Sequence, residues 1–174
     1  MTSDGAEKML RQLAGGDGHA LGELYERYGS VIKGLALRIL RDRSDAEDVV
    51  QDVFVQVWSQ AARFDPLRGT PQAWLCTIAR TRAIDRLRRR VARREELGDP
   101  YIGITDRPRS EEGIAVREAL DGISPDQRRA LELAYYEGLT HCEIARKLGA
   151  PLGTIKTRIR TAMQLLRDRL GSVP

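Results

Sequence analysis

The amino-acid sequence predicts an all-α protein built as two small helical domains joined by a flexible linker. Three observations favour this class. Apolar residues recur at helical spacing, the alternating runs typical of strands are absent from the sequence, and several helix starts carry a side chain that can cap the first turn. Of the 174 residues, 41% are hydrophobic and 31% are charged, a composition typical of a folded globular protein.

Helix starts can be placed at capping residues that are followed by Glu, Gln or Pro within the first turn. Ser44, Thr70, Ser124 and Thr140 have this arrangement, and each offers an oxygen to amides that the first turn leaves unpaired. Together with the apolar spacing, these residues predict helices over 5–14, 19–41, 44–61, 70–92, 111–121, 124–137, 140–148 and 152–170.

Between the fourth and fifth predicted helices, the segment EELGDPYIGITDRPRSEE mixes Gly, Pro and six acidic residues without helical periodicity. Such a composition is typical of a linker. We therefore predict a domain over residues 1–94, an acidic linker over 95–112 and a second domain over 113–174. Each domain is small but long enough to bury a helical core.

The formal net charge of +4 hides blocks of opposite sign. Residues 63–94 carry ten basic against two acidic side chains, and residues 140–174 carry seven against two, whereas the other segments are acidic. Two separate basic blocks suit a protein that holds a polyanion at two places. Solvated helix faces in an arginine-rich protein remain the alternative.

The start of the chain and the cysteines exclude other classes. MTSDGAEKML has neither the basic start nor the apolar run of a signal peptide, and no stretch approaches the length of a membrane span. We therefore expect a cytoplasmic protein with no membrane insertion of its own. Cys76 and Cys142 lie far apart, and His141 has no further ligand nearby, so we expect neither a disulfide framework nor a zinc site.

The segment from Thr140 to Leu170 has the layout of a helix-turn-helix. Ile144 and Leu148 form an apolar stripe on a short helix, and Gly149 can adopt the left-handed turn that ends it. The next helix has apolar positions at helical spacing and a basic start, where a recognition helix meets bases and phosphates. The candidates there are Thr154, Lys156, Thr157, Arg158 and Arg160. An ordinary helical hairpin with a solvated basic face remains the alternative.

The predicted helix that begins with the residues SDAEDVVQDVFVQVW has a broad apolar face and a polar face. The apolar set is Val49, Val50, Val53, Phe54, Val57 and Trp58. The polar set is Asp45, Asp48, Gln51, Asp52 and Gln56, a candidate acidic docking surface. A carboxylate metal site at Asp48 and Asp52, one turn apart, and a merely solvated face are the alternatives.

A turn-rich loop holding Phe64, Arg68 and Gly69 leads into an arginine-rich helix that contains Trp74. Aromatic rings beside clustered arginines suit unstacked bases and a sugar-phosphate backbone. For Trp74 taken alone, packing in the core is favoured over base stacking. The clustered arginines are Arg80, Arg82, Arg86, Arg88, Arg89 and Arg90.

Taken together, these motifs resemble bacterial RNA polymerase sigma factors. The strings SPDQRR, EGLTHCEIARKLG and GTIKTRI are similar to region four of that family, and DAEDVVQDVFVQVW with the following FDP, WL and AIDRLRRR is similar to region two. With no central domain, the layout resembles the extracytoplasmic-function (ECF) class. Pro151 stands where a capping Ser is usual, Thr161 where a basic residue is common and Thr81 where Asn is common.

The resemblance implies a protein that is not an enzyme, needs no cofactor or metal, and directs transcription initiation with core RNA polymerase at promoter DNA under an anti-sigma factor. The implied polymerase-binding residues are Asp48, Gln51, Asp52 and Gln56. The implied minus-10 residues are Phe64, Arg68, Trp74, Arg80, Arg82, Asp85, Arg86, Arg88 and Arg89. The implied minus-35 residues are Thr154, Lys156, Thr157, Arg158, Arg160 and Thr161.

Two other functions remain open on the residues alone. A stand-alone helix-turn-helix regulator would bind palindromic half-sites as a dimer. A metal-dependent nuclease would use the Asp/Glu cluster and lose its activity in Asp48→Ala.

Overall fold

The computed structural model describes residues 3–97 and 122–170. All the regular structure in these ranges is helical, which confirms the all-α class. The helices are α1 (Ser3–Ala14), α2 (His19–Leu40), α3 (Arg43–Gln60), α4 (Pro71–Glu96), α5 (Pro125–Tyr135), α6 (His141–Leu148) and α7 (Leu152–Leu170), with short 3₁₀ turns at Ala61–Arg63 and Pro66–Arg68. The helix predicted over 111–121 lies outside the described residues.

The chain divides into two compact units, Met1–Ile104 and Thr105–Pro174. In the first unit α2, α3 and α4 pack against one another and α1 lies against α2. Each of the three long helices contributes aliphatic residues spaced three or four apart, so each buries one face. The fully buried large side chains of this core include Leu24, Ile32, Leu40, Val49, Val53, Val57 and Leu75.

The helix α4 is longer than the sequence predicted. It continues through Glu96 rather than ending near residue 92, and so includes the first two residues of the predicted linker. The physical reason is that Arg, Ala and Glu favour helix and no glycine or proline interrupts the sequence before Gly98. None of the helices in residues 3–97 and 122–170 is both long and apolar enough to cross a lipid bilayer.

The start of α3 corrects a prediction. Asp42, not Ser44, is the capping residue, and its Oδ1 accepts a hydrogen bond from the Asp45 amide at 2.8 Å. Arg41 ends α2 in the left-handed conformation, with φ of 54°, so the connection is short and the first residue able to cap is Asp42. An aspartate caps as well as a serine, and Ser44 lies inside the first turn.

Loss of this cap should destabilise the N-terminal unit. We expect Asp42→Ala to lower the free energy of unfolding by about 1 kcal/mol, because it leaves a first-turn amide unpaired. Urea unfolding followed by circular dichroism measures this. Ser44→Ala is the matched control and should change the stability by only a few tenths of a kcal/mol; a larger loss from Ser44→Ala would show that the cap is misplaced.

The second unit is described from residue 122 to residue 170 and contains α5, α6 and α7. Its core is the buried cluster of Ala130, Leu133, Ile144 and Ile155. The predicted caps at its helix starts are confirmed, since Ser124 and Thr140 both form complete capping boxes, with Gln127 and Glu143 respectively.

The turn between α6 and α7 is also as predicted. Gly149 ends α6 in the left-handed conformation, with φ of 61°, which a residue bearing a Cβ adopts only at a cost. The amide of Ala150 then returns to the carbonyl oxygen of Ala145 at 3.1 Å. The tight turn places α7 against α5 and α6, in the arrangement of a helix-turn-helix.

Candidate nucleic-acid interface

Three arginines at four-residue intervals along α4 reach toward α3 and the end of α2. The guanidinium Nε of Arg82 donates to the side-chain oxygen of Gln56 at 2.8 Å. One turn further on, Arg86 donates from Nε to Asp45 at 2.7 Å and from Nη2 to Asp48 at 2.5 Å. From the sequence, the α4 arginines and the α3 carboxylates were assigned to two separate surfaces. In the structure, hydrogen bonds join these side chains into one continuous surface.

The third arginine of the row, Arg90, completes the network around Asp45. Its Nη1 donates to Asp45 at 3.2 Å and its Nη2 to the carbonyl oxygen of Leu40 at 2.7 Å. Asp45 therefore bridges two guanidinium groups, and its side chain is only 23% exposed. The hydrogen bond to Asp45, with a further one to Asp48, raises the pKa of the Arg86 guanidinium above its usual value.

The outer face of α3 combines polar and apolar side chains. Gln51 and Asp52 are exposed, and no hydrogen bond or ion pair engages Asp52 within the described residues. Val55 lies one turn beyond and is 70% exposed. Trp58 was predicted on the buried face, but it is 54% exposed and lies against Gly18. The candidate docking surface is therefore a polar face with an exposed apolar centre.

The loop before α4 is held at its ends and exposed at its tip. The rings of Phe64 and Trp74 are half-buried and contact each other, with their centroids 5.7 Å apart. At the tip, Leu67 is 95% exposed and Arg68 is exposed. Gly69 has a φ of 146°, in a region that residues with a Cβ rarely adopt. Aromatic packing thus positions a loop whose tip faces solvent.

The remaining candidates on α4 point in several directions. Asp85, Arg88 and Arg89 are exposed, whereas Arg80 is half-buried. The Nε of Arg89 donates to the backbone oxygen of Asp85 at 3.3 Å. An open cleft of about 390 Å³ lies beside this part of the helix, and its lining is Asp45, Arg86, Arg89, Arg90 and Arg93. The cleft has a strong positive charge, as an anion-binding surface requires.

On α7, most of the candidates lie on the solvent side. Thr154, Lys156, Thr157 and Arg160 are exposed, whereas Thr161 is half-buried. The hydroxyl of Thr157 donates to the carbonyl oxygen of Gly153 at 3.0 Å. The exposed candidates occupy the first part of the helix, where a recognition helix contacts base edges.

Arg158 differs from the other candidates on α7. Its guanidinium forms an ion pair with Asp126 in the first turn of α5, and its side chain is half-buried. In this conformation the guanidinium fastens α7 to α5 within the same unit. From the sequence, Arg158 was predicted only to contact DNA, and its ion pair within the unit was not predicted.

Val55 and Asp126 contribute to these surfaces but were not predicted from the sequence. Asp45 and Arg90 were predicted on the polar face of α3 and in the arginine cluster, but neither was assigned to polymerase or DNA binding, and their mutual ion pair was not predicted. The four-residue spacing of Arg82, Arg86 and Arg90 could have indicated a single row along α4. Nothing in the sequence marks the α3 carboxylates as its partners, because these lie about forty residues away.

Asp48 and the two cysteines bear on the metal site and the disulfide considered from the sequence. Within residues 3–97 and 122–170, no three His, Cys, Asp or Glu side chains lie together as a metal site requires. Asp48, considered above as a metal ligand, is paired with Arg86. Both cysteines are free, and burial raises the pKa of the Cys76 thiol.

Comparison with known proteins identifies the family. The Sigma-70 region 2 family matches residues 24–93, and the Sigma-70, region 4 family matches residues 119–168. The ECF RNA polymerase sigma factor SigK of Mycobacterium ulcerans is 37% identical over 179 residues, which cover 98% of this chain and 96% of that protein. SigK of Mycobacterium tuberculosis is 37% identical over 177 residues, covering 97% and 95%.

A solved structure agrees with this assignment. Rhodobacter sphaeroides SigE, crystallised in complex with the anti-sigma ChrR, is 29% identical, covers 97% of this chain and 99% of its own, and gives a TM-score of 0.50. The helices α2 to α4 thus lie largely within the match to Sigma-70 region 2, and the helix-turn-helix lies largely within the match to region 4. The chain belongs to the ECF class of RNA polymerase sigma factors.

Proposed function

We propose that this protein binds core RNA polymerase, recognises the minus-10 and minus-35 promoter elements and directs transcription initiation. The observation that carries this proposal is that region 2 and region 4 occur in one chain, each with its own basic surface. The proposed domains are residues 1–94 for polymerase and minus-10 binding and 113–174 for minus-35 binding, with 95–112 as the linker.

The outer face of α3 is the proposed polymerase-binding surface. Gln51 and Asp52 are exposed there, and Asp48 and Gln56 flank them at the border with α4. Exposed Val55 adds apolar area between the polar groups. A polar rim around an apolar centre is typical of protein–protein interfaces, and its acidic residues suit a basic partner surface.

The loop before α4 and the arginines of α4 are the proposed minus-10 surface. Bases of the open strand would lie against the exposed tip around Leu67 and Arg68, while Arg88 and Arg89 would face phosphates. Capturing an unstacked base must offset a few kcal/mol of unstacking, and stacking returns about 1–3 kcal/mol per base. The contact between Phe64 and Trp74 supports a positioning role for both rings.

The start of α7 is the proposed minus-35 surface. Thr154, Lys156, Thr157 and Arg160 are exposed and would enter the major groove. Arg158 would reach DNA only after releasing Asp126. Of the predicted minus-35 residues, the exposed four therefore have the stronger support.

Neither surface suffices for tight binding alone. Two weak sites held on one polymerase act as tethered sites at high effective concentration, so their affinities combine. We also propose an anti-sigma partner, because Rhodobacter sphaeroides SigE was crystallised with one. Covering the α3 face would inhibit the protein by blocking the polymerase.

The decisive experiment is run-off transcription with bacterial core polymerase. The purified chain should start transcripts at defined positions, and the free chain should bind promoter duplex only weakly and with strong salt dependence. A stand-alone regulator would instead bind a palindromic duplex tightly without polymerase. Failure to join core enzyme or to start any defined transcript would overturn the proposed function.

A further inference from the structure

We infer that Asp48 couples polymerase docking to DNA binding. In the free chain its carboxylate binds the Arg86 guanidinium, and on docking a cationic group of the polymerase replaces that guanidinium. This inference rests on the proposed function, because it assigns α3 to the polymerase and α4 to DNA. Asp48 is then a positioning residue for DNA binding in addition to its docking role. The observation behind it is that one ion pair joins the two proposed surfaces.

The geometry makes Asp48 the partner that can be removed. Its carboxylate accepts from Nη2 of Arg86 at 2.5 Å, and its side chain is 50% exposed. Asp45 binds the same guanidinium through Nε at 2.7 Å but is 23% exposed and also holds Arg90. A docking protein can therefore contact Asp48 from outside, while Asp45 keeps Arg86 anchored to α3.

The charges give the coupling its sign. In the free chain Arg86 lies between two carboxylates that offset its charge, so a phosphate in the arginine-lined cleft gains less from Arg86 than it would from an unpaired guanidinium. A cationic group placed on Asp48 neutralises one of them and frees the Nη2 donors of Arg86 for an anion. Docking therefore raises the affinity for DNA, and by linkage DNA raises the affinity for the polymerase by the same factor.

The expected coupling between docking and DNA binding is small, because the ion pair between Asp48 and Arg86 is partly exposed. Surface ion pairs contribute up to about 1 kcal/mol, which corresponds to about fivefold in a binding constant. An effect of this size is measurable and still leaves most of the promoter affinity to the tethering of two sites.

Two variants of the full chain that remove the same charge from α3 test the inference. Asp48 contacts Arg86, whereas Asp52 lies one turn away without such a contact. We expect D48N to raise the affinity of the free chain for a fluorescent single-stranded oligonucleotide by about two- to fivefold more than D52N does. D48E, which keeps the carboxylate, should bind as the wild type does.

A second background separates the ion pair from a general effect of charge or folding. In R86Q the extra gain from D48N should disappear, so that D48N/R86Q and D52N/R86Q bind the oligonucleotide alike. Equal gains from D48N and D52N in the wild-type chain, or an extra gain that persists with R86Q, would overturn the coupling. Equal melting temperatures would exclude unfolding as the cause.

Titration with core polymerase keeps this inference distinct from the proposed function. With saturating core enzyme, the oligonucleotide affinities of D48N and D52N should converge. In D52N the polymerase then binds the Asp48 carboxylate and releases Arg86, and in D48N Arg86 has already lost that partner. A difference that stays unchanged would overturn the coupling while leaving the function intact. A wild-type chain that fails to bind core enzyme at all would instead overturn the proposed function.

Discussion

Asp52→Arg should weaken binding to core RNA polymerase by at least about 100-fold while the chain stays folded. Asp52 lies on the exposed face of α3 and has no ion pair within the described residues. An arginine there would meet the cationic surface that the proposed docking requires, and juxtaposed like charges cost several kcal/mol at an interface. Since every 1.4 kcal/mol is tenfold in affinity, a hundredfold loss is a moderate expectation.

The control is a charge reversal that leaves the docking face intact. Glu23 is an exposed acidic residue on α2, so Glu23→Arg changes the net charge by the same amount and tests for long-range electrostatics. Binding of labelled chain to core enzyme should show a large loss for Asp52→Arg and a small change for Glu23→Arg. Similar losses from both would mean that overall charge governs binding, and an unchanged Asp52→Arg affinity would reject the α3 face.

Asp52 is a cleaner probe of docking than Asp48. Replacing Asp48 also releases Arg86, so its effects on polymerase and DNA binding are mixed. Asp52 has no such connection to α4, and most exposed substitutions change stability by no more than about 0.5 kcal/mol. A loss of binding by Asp52→Arg can therefore be attributed to the interface itself.

The helices of this protein could be predicted because their signals are local. Capping boxes at Ser124 and Thr140 and the left-handed Gly149 each depend on residues within one turn, and all three were predicted correctly. The start of α3 was missed because Asp42 and Ser44 are both good capping residues. Asp42 is the cap because α2 ends at the left-handed Arg41 and α3 begins directly afterwards. The shortness of this connection depends on how α2 and α3 pack.

The candidate site was only partly predictable, since periodicity shows which face is polar but not what that face contacts. The polar face of α3 was predicted correctly, yet part of it turned out to bind Arg82 and Arg86 rather than solvent. The same holds for Arg158, whose partner Asp126 lies 32 residues away on another helix. Such pairings depend on tertiary packing, which a single sequence does not specify.

Ile155→Ala should unfold the C-terminal unit and abolish minus-35-dependent transcription. Ile155 is fully buried in the cluster with Leu133 and Ile144, and truncating a buried isoleucine to alanine costs about 2–5 kcal/mol. A helical unit of this size has only a few kcal/mol of stability in total. The cavity therefore removes most or all of the stability that keeps α7 in place.

Because the chain divides into two compact units, each with its own core, the N-terminal unit should retain its melting transition and its affinity for core polymerase. Met163→Ala is the matched control, since Met163 lies on the same helix but is exposed; it should leave both transitions unchanged. Circular dichroism melting and run-off transcription on templates with and without a minus-35 element measure the outcome.

If Ile155→Ala abolished polymerase binding as strongly as Asp52→Arg, the C-terminal unit would be needed for docking, and the proposed assignment of docking to α3 and DNA recognition to α7 would be wrong. Retained docking with loss of minus-35 dependence is the result expected when α3 binds the polymerase and α7 reads the DNA.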